Sequence, residues 1–185
     1  MKATGIVRRI DDLGRVVIPK EIRRTMRIRE GDPLEIYTDR EGEVIFKKYS
    51  PIGELASFAA QYAETLYKTC SLSVVICDRD AVIACAGVPR KEYNDKSLSQ
   101  ELERIIEGRT LYVHREGEES LSVLAEGGTY TVSCAMPIIS EGDIIGCVAS
   151  VTDHSGEQRR DVPTMDVESK LIQTAAGFLG RQLEG

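Results

Sequence analysis

The sequence predicts an α+β protein of two domains, the first small and rich in strands, the second an antiparallel sheet with helices layered on it. A chain of 185 residues that is 42% apolar has the length of one large or two small domains and the composition of a folded protein. Near Pro51 the charge changes sign, and short strands and turns give way to longer segments with helical periodicity. Apolar stretches stay well below the roughly 18 residues of a membrane span, so a cytoplasmic protein is expected.

The charge is distributed unevenly along the chain. Residues 1–50 contain 12 Lys and Arg against 9 Asp and Glu, whereas the rest of the chain contains 12 against 21. Within residues 1–29, nine basic residues stand against three acidic ones. The whole chain has a net charge of −6, but a basic segment joined to an acidic body is typical of proteins that bind a polyanion.

Residues 1–50 are predicted to form one domain of strands, turns and a single short helix. Pro19 ends a strand, because proline cannot donate to a strand ladder, and it suits the first turn of a helix. The expected elements are strands at 6–10 and 16–18 joined by a turn at 11–14, a helix at 20–26, and a hairpin of strands 34–38 and 44–49. A domain of about 50 residues without disulfide or metal buries little apolar surface, so it is predicted to be an obligate oligomer.

Residues 51–53 combine a helix breaker with a flexible glycine and are predicted to be a linker to a second domain at 54–185. The expected helices are 54–67, 97–107 and one from 163 to near the end; the expected strands are 71–77, 81–86, 130–139 and 143–151, with a further edge strand at 121–125. This order of helix, hairpin, helix, hairpin and helix predicts helices layered on an antiparallel sheet.

A longer motif identifies the N-terminal domain more closely. Residues 4–19 read TGIVRRIDDLGRVVIP, residues 21–24 read EIRR, and residues 31–36 read GDPLEI. These segments closely resemble the DNA-binding domain of the AbrB family of transition-state regulators. The resemblance implies a swapped-hairpin dimer, in which two chains interlace their strands into one small barrel-like body that binds double-stranded DNA.

The resemblance assigns DNA contacts to Arg8, Arg15, Arg23 and Arg24, and Lys2 and Arg9 beside them are expected to add phosphate contacts. Arginine suits this role because its planar fork of donors matches phosphate oxygens and guanine edges. The alternative is a solvated surface in which these arginines pair with Asp11, Asp12 and Glu21. A helix-turn-helix is excluded by the single short helix, so recognition is expected to use strands, loops and DNA shape.

The second domain resembles a GAF domain in its order of elements and in Pro137-Ile138 followed by Gly142 to Gly146, which is similar to that family's central hairpin. GAF domains serve as small-molecule sensors, as chromophore holders or as dimerisation modules, and the fold does not select among these roles. A ligand pocket is expected on one side of the sheet beneath the polar segment 108–128. Its proposed lining is Val75, Cys77, Ile83, Cys85, Cys134 and Met136. The alternative is that the same residues pack a closed core.

Catalytic, metal and cofactor sites are not expected. The five cysteines, Cys70, Cys77, Cys85, Cys134 and Cys147, are odd in number, form no C-x-x-C pair and lie among apolar residues, so buried free thiols are predicted. His114 and His154 are isolated in the sequence, far from any cluster with metal-ligand spacing.

The order of the two domains resembles a family of sporulation-stage regulators from endospore-forming bacteria. The sequence therefore predicts a sequence-specific, nucleoid-associated transcriptional regulator of sporulation genes, modulated by a small-molecule effector at the second domain. It is expected to dimerise through the N-terminal domain and to form a tetramer through the helices at 54–67 and 164–183. The alternative is an antitoxin-like interaction module with a purely structural second domain; the long second domain favours the regulator, because antitoxins of this fold carry a short tail.

Overall fold

The computed structural model describes residues 4–153 and 162–184. The chain divides into two compact units, Met1–Tyr49 and Ser50–Gly185. Lys2 and His154 lie outside the described residues. Among the described residues, no helix is both long and apolar enough to cross a membrane.

The first unit contains a short helix and one hairpin. Helix α1 is Lys20–Thr25, and strands β1, Leu34–Thr38, and β2, Val44–Lys48, pair in antiparallel fashion from Leu34 opposite Lys48 to Thr38 opposite Val44. Asp39 closes the hairpin, because its Oδ1 accepts hydrogen bonds from the backbone N–H groups of Glu41 and Glu43. The predicted helix and hairpin are confirmed within one residue at each end.

The strands predicted at 6–10 and 16–18 are not strands in the single chain. A strand exists through hydrogen bonds to a neighbouring strand, and the described part of one chain supplies none to these two segments. The turn predicted between them is present, because the Gly14 N–H donates to the Asp11 carbonyl and the Asp11 N–H to the Arg15 carbonyl, both at 3.0 Å.

The second unit is a five-stranded antiparallel sheet with helices on both faces. Its elements are α2 Pro51–Glu54, α3 Ala56–Cys70, β3 Val74–Cys77, β4 Val82–Ala86, α4 Arg90–Tyr93, α5 Gln100–Glu107, β5 Tyr112–Val113, β6 Tyr130–Ser140, β7 Asp143–Asp153 and α6 Met165–Gln182. The strand order is β4-β3-β7-β6-β5. The predicted α+β class is confirmed. The edge strand predicted at 121–125 is reduced to isolated bridges at Ser122 and Leu124.

Local sequence explains the central hairpin. Glu141 and Gly142 both have positive φ, 50° and 88°, which is the backbone of a type I′ turn between two twisted strands.

Helix α6 packs closely on β6 at Gly180. A Cβ at this position would collide with the Ile139 carbonyl oxygen, so only glycine allows the close approach. The glycine therefore sets the distance between helix and sheet.

The sheet separates two apolar clusters. On one face α2, α3 and α6 bury a cluster that includes Ile52, Ala63 and Leu179. On the other face α4, α5 and the segment around Val123 bury a cluster that includes Tyr93. The unit is therefore a three-layer arrangement of helices, sheet and helices.

The residues predicted to line one side of the sheet are divided between its two faces, so that prediction is wrong. Val75, Cys77 and Cys85 belong to the cluster with Tyr93, whereas Ile83, Cys134 and Met136 pack with the cluster on α3 and α6. Side chains alternate along a strand, and Ile83 is an extra residue where the β3–β4 register shifts. This bulge sends Ile83 and Cys85, two residues apart, to opposite faces.

The cysteines are free thiols, as predicted. Four of them are buried, and Cys70 at the end of α3 is partly exposed. Burial raises the pKa of Cys134 to about 11. A buried thiol with a raised pKa carries little thiolate at neutral pH and is therefore a poor nucleophile.

Candidate nucleic-acid interface

The loop from Asp11 to Arg15 is built around one carboxylate. Asp11 Oδ1 accepts hydrogen bonds from the backbone N–H groups of Leu13, at 3.0 Å, and Arg15, at 2.8 Å. Gly14 allows the tight return of the chain, because its φ of 77° favours a residue without a Cβ. The loop is closed by backbone and side-chain bonds together.

The side chain of Arg15 is bonded to Asp11 at the other end of the loop. Its Nε donates to Asp11 Oδ2 at 2.7 Å, and the Arg15 side chain is 68% exposed. Hydrogen bonds from the backbone N–H and the guanidinium of Arg15 lower the pKa of the Asp11 carboxyl, so this group is ionised at neutral pH. The terminal Nη groups form no hydrogen bond or ion pair with the residues that the structure describes.

Helix α1 presents two further arginines. The helix begins after Pro19, which is buried, and it contains no buried residue of its own. Arg23 and Arg24 are exposed, and their side chains form no hydrogen bond or ion pair with described residues. Both cations are therefore free to meet an external anion.

The chain after α1 is anchored to strand β2 by contacts that the sequence did not indicate. Asp32 Oδ2 accepts from the Arg29 N–H at 2.8 Å and lies 3.3 Å from Lys48 Nζ. Lys48 Nζ also donates to the Arg27 carbonyl at 2.8 Å. The Asp32 side chain is only 4% exposed, so this bridge links the end of α1 to the hairpin in a shielded position. The residues that form it are up to 21 positions apart, a separation that no local pattern reveals.

Arg8 and Arg9 lie in the extended segment before the loop. Both are exposed and make no side-chain hydrogen bond or ion pair within the described chain. Arg8, Arg9, Arg15, Arg23 and Arg24 thus lie on three segments of one unit. Among the described residues, an ion pair that would make these arginines an inert surface is found between Arg15 and Asp11. Asp12 and Glu21 form no ion pair with these arginines in the described residues.

The first unit also exposes an unusual amount of apolar surface. Among the described residues of this unit, Pro19 is the one that is buried. Val7 is 86% exposed, Val17 71%, Leu13 70% and Ile10 69%. A domain that folds alone does not leave most of its large apolar side chains in water.

Metal-ligating side chains are not clustered in the described part of the chain. Within 4–153 and 162–184, no group of three or more His, Cys, Asp or Glu side chains is arranged to hold a metal ion. The His114 ring lies near the Tyr112 hydroxyl, with 3.4 Å between Nδ1 and the oxygen. The arginines and their loop are the charged groups in the described chain that best fit an external partner.

Comparison with known proteins agrees with the two-unit division. The family model described as "Stage V sporulation protein T C-terminal, transcription factor" matches residues 54–184. The chain belongs to the stage V sporulation protein T family. Stage V sporulation protein T of Bacillus subtilis (strain 168) is 52% identical over 187 residues, which cover 100% of this chain and 99% of the relative. The family expected from the domain order is confirmed.

The first unit of this family member has relatives of its own. The model "Antidote-toxin recognition MazE, bacterial antitoxin" matches residues 7–53. The solved N-terminal DNA recognition domain of the Bacillus subtilis regulator AbrB is 63% identical, over 28% of this chain and 94% of that one, with a TM-score of 0.23. Over the second unit, the GAF domain of the nutrient sensor CodY from Clostridium difficile is 16% identical, over 67% of this chain and 83% of that one, with a TM-score of 0.45.

Proposed function

We propose that this chain is a sequence-specific, DNA-binding transcriptional regulator of sporulation genes. The observation that carries the proposal is a set of exposed arginines, several without acidic partners, on a unit 63% identical to a DNA recognition domain. The residues proposed to contact double-stranded DNA are Arg8, Arg15, Arg23 and Arg24, with Lys2 and Arg9 adding phosphate contacts. Such a regulator works on chromosomal DNA in the cytoplasm, in association with the nucleoid.

The mode of recognition follows from the elements that carry these residues. Helix α1 has six residues, and the described part of its unit, residues 4–49, contains no second helix to brace it in a groove. Arginines on a loop, on an extended segment and on one helical turn reach phosphates and groove edges from different directions. Recognition of the DNA site then combines hydrogen bonds to base edges with the fit of the unit to the shape of the duplex.

The first unit acts as a dimer in this proposal. Segments 6–10 and 16–18 have no strand partner among the residues that the structure describes, and Val7 and Val17 in them are exposed, as is Leu13 in the turn between them. Strands of a second copy, interlaced with these segments, supply the missing backbone hydrogen bonds and cover the exposed apolar side chains. Each arginine is then present twice on one DNA-binding body.

A tetramer is proposed through the helices of the second unit. Phe178 on α6 is 40% exposed, and its ring stacks on Tyr62 of α3 at 5.6 Å and lies 5.8 Å from Phe58. Three aromatic rings at the surface of a helix pair form a face that another copy of the chain would cover. Pairs of dimers joined there form the larger assembly.

A small-molecule effector is proposed to act through the junction of the two units. The predicted linker, 51–53, lies in helix α2, whose Ile52 is fully buried in the second unit. Ser50 Oγ donates to Asp78 Oδ2 at 2.9 Å, and one residue earlier the Tyr49 N–H donates to the Pro33 carbonyl at 3.0 Å. Tyr49 and Ser50 are thus each hydrogen-bonded within their own unit. A ligand that shifts α2 would change DNA affinity tenfold with about 1.4 kcal/mol of differential binding.

An antitoxin-like interaction module is the second candidate, favoured by the match of residues 7–53 to an antitoxin model. The match of the whole chain to a sporulation regulator favours the first. Copurification of a stoichiometric protein partner with the full chain from its native host would support the antitoxin.

The proposed function is tested by selection of DNA. The full chain is used to select duplexes from a random-sequence pool, and its affinity for the selected duplex is compared with that for a scrambled duplex of the same composition. Specific binding is expected to exceed non-specific binding by about a thousandfold or more, with a steep salt dependence. Equal affinity for both duplexes, or no binding, would refute the proposal.

A further inference from the structure

Asp11 is an acidic residue in the loop that carries Arg15, within a segment proposed to bind a polyanion. On charge alone it opposes that function, because a carboxylate repels phosphate. Yet it bonds directly to Arg15, one of the proposed contacts. The geometry of this pair points to a use for the carboxylate.

We propose that Asp11 is a positioning residue for DNA recognition, which holds Arg15 by Nε so that the opposite edge of its guanidinium engages the duplex. The inference rests on the proposed function and adds a residue to it. Asp11 itself makes no contact with DNA in this proposal.

The guanidinium has five N–H donors, and the bond to Asp11 Oδ2 uses the one on Nε. Four donors remain on the two Nη atoms, and these form the edge that makes paired hydrogen bonds to guanine O6 and N7 or to two phosphate oxygens. Because Arg15 is 68% exposed, this edge is open to a partner. A side chain that is already held loses less rotamer freedom on binding.

The carboxylate that holds Arg15 is itself fixed. Its second oxygen, Oδ1, accepts from the backbone N–H groups of Leu13 and Arg15, and the Asp11 N–H returns a bond to the Arg15 carbonyl. The loop therefore orients the carboxylate, and the carboxylate orients the guanidinium. Pre-organisation of this kind improves affinity and base discrimination together.

Asp12 provides a matched control in the next position. It is exposed, and its side chain makes no hydrogen bond or ion pair in the described part of the chain. Asp12→Asn removes the same charge as Asp11→Asn but disturbs no arginine. Asparagine at position 11 keeps an Oδ1 that can accept both loop amides, so the loop is preserved while the ion pair is lost.

The two substitutions are expected to differ in their effect on DNA affinity, and only Asp11→Asn should weaken it. Fluorescence anisotropy with the full chain and a duplex that the unmodified chain selected from a random pool measures the change. Asp12→Asn should bind that duplex as tightly as the unmodified chain or up to about threefold more tightly, because repulsion is reduced. Asp11→Asn should bind it about threefold to tenfold more weakly and should discriminate less well against a scrambled duplex.

A double-mutant cycle isolates the pair. In the Arg15→Ala background, Asp11→Asn should no longer weaken binding and should behave as Asp12→Asn does. An independent readout is the titration of the Asp11 carboxyl by NMR: its pKa should rise in Arg15→Ala, because the substitution removes the hydrogen bond from the guanidinium and leaves the bond from the backbone N–H.

Two results would overturn the inference. One is an Asp11→Asn variant that binds as tightly as Asp12→Asn; the other is a loss of affinity that persists undiminished in the Arg15→Ala background. If the unmodified chain binds the selected duplex while either result is observed, the inference about Asp11 fails and the proposed DNA-binding function stands. If the unmodified chain binds no duplex, both proposals fall together.

Discussion

Removal of the two arginines on helix α1 is the sharpest test of the DNA-binding surface. In Arg23→Ala, Arg24→Ala, no hydrogen bond or ion pair within the described chain is lost, because neither side chain makes one. Helix α1 buries no residue, and alanine has the highest helix propensity. Thermal unfolding of the variant should therefore match that of the unmodified chain, and any effect on binding can be assigned to DNA contacts.

The size of the effect follows from the number of cations removed. Each arginine that contacts DNA contributes about 1–3 kcal/mol, which is roughly 5-fold to 150-fold in affinity. In a dimer the double substitution removes four charges. If all four neutralise phosphates, the slope of log affinity against log salt concentration should fall in magnitude by about 3 to 4.

The assay is a series of gel-shift or anisotropy titrations at several salt concentrations, with the selected duplex and the full chain. Arg90→Ala, Lys91→Ala is the matched control, because it removes an adjacent pair of exposed cations from a short helix of the second unit. Its net charge equals that of the test variant. Unchanged affinity and slope in Arg23→Ala, Arg24→Ala, or an equal loss in the control, would refute the assignment of α1 to the DNA interface.

Three further predictions concern the second unit. Ile52→Ala should lower the free energy of unfolding of the full chain by about 2–5 kcal/mol in chemical denaturation, because Ile52 is fully buried; a loss well below this would show that the junction does not pack. Iodoacetamide should label Cys70 in the native chain and the four buried thiols, including Cys134, only after denaturation; native labelling of Cys134 by mass spectrometry would contradict this. Phe178→Glu should reduce the mass of the assembly in light scattering, and Gln173→Glu, at an exposed polar position of α6, should not; equal masses would contradict the tetramer contact.

Much of the local structure could be predicted from the sequence because its causes are local. Pro19 marks the start of α1, and the turn residues Glu141 and Gly142 lie between two apolar runs that become β6 and β7. The candidate arginines could be located by charge and motif for the same reason, since both are properties of neighbouring residues. The charge imbalance of the first 29 residues already indicated a polyanion as partner.

Other features depended on contacts between residues far apart in the chain. The periodicity of a strand predicts which residues share a face only where the strand pairing is regular. The bulge at Ile83 interrupts the β3–β4 pairing, so alternation no longer predicts the face of Ile83. A proline and a glycine at 51–53 suggested a linker, but burial of Ile52 and the bond from Ser50 to Asp78 make the segment part of the second unit. Tertiary packing outweighs local propensity at such positions.

The sequence by itself determined the two-domain order, the α+β class, the basic first segment and the identity of the arginines proposed to meet DNA. Only the tertiary structure decided which acids those arginines contact, how Asp32 and Lys48 anchor the end of α1, and which side chains face each side of the sheet. The physical reason is the range of the interactions. Propensity, capping and charge density act between neighbours in the chain, whereas packing and ion pairs join residues that only the folded backbone brings within a few ångströms of each other.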